Sequence, residues 1–281
     1  MKLNKLVIQR LISSLFAFLL TLLLVIFYVF VGLGLGTFNG KSIDRAIDES
    51  NYYNSVFDEL RLDTEKLVTE VGLPTSVLTD AITLERVYIS GRNYIETALV
   101  GGEEQIKLDK LHNQLTDNIS QYLLTEKLTA SKELEQGISK VITTIETEYS
   151  SAIRLQMIHD VVDYKSQYFK LLKVFLPIIV ALITILCYFL IRMQHYKHRG
   201  VRYITYALLA SSLLILLTTL YLLLTKQYEV IKVTPDYYQH FISAYLRWDM
   251  MIFLYLAGIG LTISIALISF INYLKSKTTN K

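Results

Sequence analysis

Charged side chains disappear from the chain in four places, and apolar residues recur at helical spacing through the long stretch between the first two of them. Residues 11–35 run for 25 positions without Asp, Glu, Lys, Arg or His, residues 174–191 for 18, 203–225 for 23 and 250–274 for 25. A bilayer core about 30 Å thick takes roughly 20 apolar residues as a helix. One charge at its centre costs about 2.5–3.5 kcal/mol. Four clean runs therefore read as transmembrane helices, at residues 11–36, 171–192, 203–225 and 250–274. Leu171 and Leu172 extend the second run past Lys173, whose ammonium is expected to snorkel to the membrane interface. The first run exceeds the 7–15 residues of a secretory signal and no A-x-A site follows it, so it is expected to persist as an anchor.

Between the first two runs the apolar spacing changes to that of helices with one buried face. Ile43, Ile47, Tyr53, Phe57, Leu60, Leu67 and Val71 predict one helix, ended by Gly72 and Pro74. A short helical piece follows Thr75, and Thr83 is placed to cap a helix that Gly101 and Gly102 stop after Val100. A third helix is expected from Glu103, with Leu111, Leu115 and Ile119 on one face. The last is expected from about Ser131 and, lacking proline or a strong breaker before Lys170, to run straight into the second span. The fold class is all-α: four spans, with a bundle- or stalk-like helical domain at residues 37–170.

Basic residues set the direction. Lys2, Lys5 and Arg10 precede the first span, Arg192, Lys197, Arg199 and Arg202 mark the short turn at 193–202, and Lys275, Lys277 and Lys281 follow the last span. That is ten on one side; the other short loop, 226–249, has three bases balanced by Glu229, Asp236 and Asp249. The termini, 1–10 and 275–281, and the basic loop are thus expected in the cytoplasm, with Arg192, Lys197, Arg199 and Arg202 setting the topology. Residues 37–170 and 226–249 are expected outside. The aromatic residues of the second outer loop, Tyr237, Tyr238, Phe241, Tyr245 and Trp248, are expected at the headgroup level, the last three on one face of a short interfacial helix after Pro235. A docking face for the outer domain is the alternative for that loop.

Composition sharpens this picture. The chain has 281 residues, 19% of them charged, and a net charge of +3. Residues 37–170 carry 14 Lys/Arg and 22 Asp/Glu, or −8, which leaves +11 for the remainder. The basic charge belongs to the membrane flanks, so nucleic acid is not an expected partner. The single cysteine, Cys187, lies in an apolar run and has no partner for an intrachain disulfide. An outer domain of that size without cystine fits a bacterial plasma-membrane protein better than an animal one.

No stretch carries a specific catalytic or cofactor signature. Gly32, Gly34, Gly36, Gly258 and Gly260 lie in apolar spans, where small residues let helices approach closely. His195 and His198 form H-x-x-H among basic residues without a third metal ligand. Asp109 with His112, and His159 with Asp163, each share a helical face, as solvated faces often produce. No catalytic, cofactor or metal site is expected. Pro177 removes a backbone bond to Lys173 and is expected to kink the second span. Cytoplasmic segments of about ten residues leave no room for a kinase, ATPase or DNA-binding domain. The expected function is therefore non-enzymatic: an outer domain that binds or senses a partner and acts through another membrane or surface protein, with a transporter or channel subunit as the alternative. The order of a long first and shorter second outer loop resembles tetraspan junction proteins in arrangement, without a shared motif. The bases predict that a topology reporter fused at Lys197 or Lys281 reads as cytoplasmic and one at Gly101 as extracytoplasmic; a surface-exposed C-terminus would contradict the four-span count.

Overall fold

A computed structural model of the chain describes residues 2–102, 106–127, 132–155, 157–194 and 196–279. Glu103, Ser131, His195 and Lys281 fall outside those residues. The described chain is all-helical: α1 (Lys2–Leu35), α2 (Gly40–Ser50), α3 (Tyr52–Glu70), a 3-10 turn (Thr75–Leu78), α4 (Leu84–Val100), α5 (Asp109–Thr125), α6 (Lys132–Ile153), α7 (Ile158–Arg192), α8 (Lys197–Leu224), a second 3-10 turn (Gln227–Glu229) and α9 (Asp236–Thr279). Four of these helices are long and apolar enough to cross a membrane, over Val7–Leu35, Ile158–Arg192, Lys197–Leu224 and Asp236–Tyr273. Two compact units result. The first comprises Met1–Ala46, Lys165–Lys232 and Ile242–Lys281; the second comprises Ile47–Tyr164 and Val233–Phe241.

The second unit is a small helical bundle. In it α3 packs on α4 and α6, and α5 packs on α6 and on the 75–78 turn. Its core includes Tyr53, Val56 and Leu60 of α3, Ile95 of α4, Leu115 and Ile119 of α5, and Ile145 and Tyr149 of α6. Polar side chains fasten it at two points. Tyr149 donates to Ser90 Oγ at 3.1 Å, and the Asn118 amide donates to the Val77 and Thr79 carbonyls at 2.9 and 2.7 Å. The start of α4 is set as the sequence suggests: the Thr83 hydroxyl accepts the Arg86 amide at 3.2 Å. Its end lies at Gly101, where φ is 74°.

Three helix boundaries differ from expectation, two of them for a packing reason. The helix expected over 43–71 breaks at Asn51, which adopts a left-handed φ of 50°; asparagine tolerates that region better than most residues. On an unbroken helix the buried Ile47 and Tyr52 would face about 140° apart, since each residue turns about 100°. The helix expected to run from 131 into the second span stops at Ile153, and α7 starts afresh at Ile158. Ile153, Leu155 and Ile158 are all fully buried, although the first two would stand about 200° apart on a straight helix. The bend lets all three reach the core. The third helix begins at Asp109, with residues 106–108 non-helical.

In the first unit α1 packs along α8. Leu20, Leu190 and Ala207 form one apolar cluster, and Tyr28, Ile215 and Ala257 another. Beside the second cluster the Tyr28 and Ser212 hydroxyls lie 2.9 Å apart, hydrogen-bonded and buried. A Cβ on Gly260 would stand 1.9 Å from the Tyr28 oxygen and 2.2 Å from Ser212 Oγ, so only glycine admits this pair. Gln194 donates to Ser13 Oγ at 2.7 Å, and Tyr168 donates to the Phe30 carbonyl while stacking on Phe38. Large apolar residues such as Leu11, Leu217 and Ile265 stay exposed along these helices, as lipid-facing positions would. Pro177 lies inside α7, which continues helical on both sides of it. Gly260→Ala should lower thermal stability in detergent by about 1–3 kcal/mol, the usual cost of overpacking. Gly258→Ala, with nothing within 4 Å of the added carbon, should be near neutral in the same melting assay.

Candidate functional site

The most unusual chemistry in the first unit sits where α1 ends. After Leu35 the backbone closes with Gly36 N–H donating to the Gly32 carbonyl at 2.8 Å and Phe38 N–H to Leu33 at 3.1 Å, which brings Thr37 against α9. Tyr245 and Asp249 stand four residues apart on α9, so one helical face presents both. The Tyr245 hydroxyl donates to the Thr37 carbonyl, and the Thr37 hydroxyl donates to Asp249 Oδ2 at 2.5 Å. Asp249 is only 9% exposed, and its other oxygen, Oδ1, is buried without a hydrogen-bond partner. That oxygen is tucked against Gly36, where a Cβ would stand 2.7 Å away. The indole Nε1 of Trp248 is likewise buried and unpartnered, while the exposed Arg45 guanidinium lies 4.9 Å above the Trp248 ring.

Electrostatically this is a poor place for an anion. The C-terminal end of a helix carries the negative pole of its dipole, and a buried acceptor left without a donor costs the full price of desolvation. The one hydroxyl donor at Oδ2 leaves a charged Asp249 largely uncompensated.

The second unit gathers aromatic rings. Tyr52 meets Tyr237 and Phe241 with centroids 5.4 Å away in each case, and Tyr53 meets Tyr88 at 5.6 Å. Burial, and after it the nearby Tyr237, Tyr238 and Glu59, pushes the Tyr52 phenol well above its ordinary range, which keeps it neutral. An open cleft of about 590 Å³ is lined by Thr83, Glu85, Arg86, Ile89, Ser90, Asn93, Lys107, Asp109 and Lys110.

The residues singled out in the sequence are distributed as follows. Tyr237, Tyr238, Phe241, Tyr245 and Trp248 do not form a separate interfacial helix: all five belong to α9, which runs unbroken from Asp236 through the fourth apolar run. Pro235 precedes that helix, where proline is well tolerated, and no strong breaker follows. Phe241 and Tyr245 are buried by protein. Lys173 is exposed, as are Arg192, Lys197, Arg199 and Arg202. His198 stacks on Tyr196, and Arg199 lies over the same ring. His112 Nδ1 meets Glu146 at 2.8 Å and His159 Nε2 meets the Tyr94 hydroxyl at 3.3 Å. Among the described residues no three His, Cys, Asp or Glu side chains come together. Gly32 packs on Phe253, Gly34 on the Tyr168 hydroxyl and Gly36 on Asp249, whereas Gly258 faces open space.

In the sequence Asp249 stands only as one of the charges of the loop 226–249. The available signal was its spacing from Tyr245 at the head of an apolar run. No family model matches the chain, and neither a curated protein nor a solved structure matches it. What fold and site define is the class alone, an all-helical chain with four helices suited to crossing a membrane. Thr37→Val, which leaves both Asp249 oxygens without a donor, should lower thermal stability by about 1–3 kcal/mol. Thr37→Ser, which keeps the hydroxyl, should melt close to wild type.

Proposed function

We propose that this chain is a multi-pass plasma-membrane protein, bacterial in origin, whose helical extracytoplasmic domain binds or senses a partner and acts without catalysis through another membrane protein. The observation that carries the reading is α7. Its first turns supply the buried Ile158 and Val161 to the second unit, and the same helix continues through the apolar run to Arg192. At 1.5 Å per residue its 35 residues amount to about 52 Å of continuous helix, with Pro177 inside it. A ligand or protein that shifts the bundle therefore has a continuous helix to act through. On this reading the response passes to a second protein within the bilayer. The exposed apolar faces of the spans are the surfaces such a partner would use.

A second reading, a transporter or channel subunit, draws support from Asp249. Ionisable residues in membrane-crossing segments usually mark a path or a site, and this one is buried within α9. The test uses a photoactivatable amino acid in native membranes, placed at Leu62 or Leu124, both exposed on the bundle, and at Tyr255, exposed on α9. The proposal expects one protein adduct of defined mass from a bundle position and one from Tyr255. Lipid adducts alone would contradict it, and solute flux through the purified chain in liposomes would favour the second reading.

A further inference from the structure

We infer that Asp249, Thr37 and Tyr245 form a binding site for a monovalent inorganic cation at the junction of α1 and α9. Three observations converge on it. The carboxylate is buried, yet Oδ1 has no donor of any kind. The Thr37 hydroxyl, which donates to Oδ2 of the same carboxylate, and the Tyr245 hydroxyl, which reaches the Thr37 carbonyl, are hard oxygen ligands of the type that alkali cations accept. The glycine at position 36 lets the backbone at the end of α1 pack closely beside Oδ1, where a Cβ would stand 2.7 Å from it and 3.0 Å from the Gly32 carbonyl oxygen.

Charge completes the argument. Asp249 faces the negative pole of α1, so positive charge is what the junction lacks. The nearby base, Arg45, is exposed and lies over the Trp248 ring. A divalent ion of the calcium type is held by 6–8 oxygens, commonly from several carboxylates, and this cluster offers one carboxylate. A singly charged ion matches the single negative charge and the few oxygens. In transporters with interrupted helices, half-helix C-terminal ends and unwound carbonyls coordinate sodium. Occupancy would fasten α1 to α9, and it does so whether the protein signals through a partner or moves a solute. The inference is thus independent of the function proposed above.

Trp248 is the sole tryptophan of the chain and the sequence neighbour of Asp249, so it reports on the site without labelling. The purified full-length chain in nanodiscs, held in choline chloride, is titrated with sodium or potassium chloride at constant ionic strength, and tryptophan emission is followed. Equilibrium dialysis with radioactive sodium or a potassium analogue measures binding on the same sample. The expected result is a saturable emission change, a matching bound ion near one per chain, and roughly tenfold weaker affinity for Tyr245→Phe, which loses one oxygen contact. Asp249→Asn should show neither response while keeping its helical circular dichroism. The inference is overturned if wild type gives no saturable change and retains no ion. It is also overturned if Asp249→Asn responds like wild type, or if emission follows pH alone, which would make a proton the occupant.

Discussion

A helix in a bilayer satisfies its own backbone hydrogen bonds, and lipid tails attract apolar side chains as well as other helices do. What fixes one such helix against another is then close packing at small residues together with a few polar contacts. In the first unit those contacts fall on α1 along its length. Ser13 accepts from Gln194, Tyr28 meets Ser212, the Phe30 carbonyl takes Tyr168, and Thr37 holds Asp249 and Tyr245. Gly32 and Gly36 let Phe253 and Asp249 come close to the same helix. Remove α1 and the other three apolar helices lose their shared neighbour.

The second unit is built on different terms. Its helices bury apolar faces as a water-soluble bundle does, with Tyr149 and Asn118 securing the places where helices and turn meet. Such a core needs no disulfide, which agrees with a chain whose one cysteine is elsewhere. The units share α7 and α9, whose first turns belong to the bundle. On that continuity rests the proposal that the bundle acts through the long apolar helices.

Much of this architecture is readable in the chain itself, because the signals are local. Charge-free runs of 18 to 25 residues at known thickness leave few alternatives, and Thr83 and Gly101 mark the ends of α4 through their own backbone chemistry. The breaks at Asn51 and after Ile153 are not local. They arise because residues on opposite helical faces must all enter one core, a demand that only the assembled bundle makes. Asp249 was illegible for the same reason. At the edge of an apolar run an aspartate looks like a solvated boundary charge, and its burial depends on Thr37, 212 positions away. The aromatic residues of α9 stand out in the sequence as a group, but nothing near them in the chain announces that Tyr237 and Phe241 meet Tyr52.

The Tyr28–Ser212 pair tests most directly whether α1 organises the long apolar helices through contacts in a fixed register. Cys187→Ala removes the one native thiol, and Tyr28→Cys with Ser212→Cys then gives a defined pair for a short bismaleimide in native membranes. The control pairs Ser212→Cys with Phe18→Cys, ten residues and about 15 Å back along the same helix. Mass spectrometry should find the 28–212 crosslink forming rapidly within one chain and the 18–212 crosslink scarce. Equal yields for both pairs, or a crosslink from position 18 alone, would contradict the register and the organising role of α1.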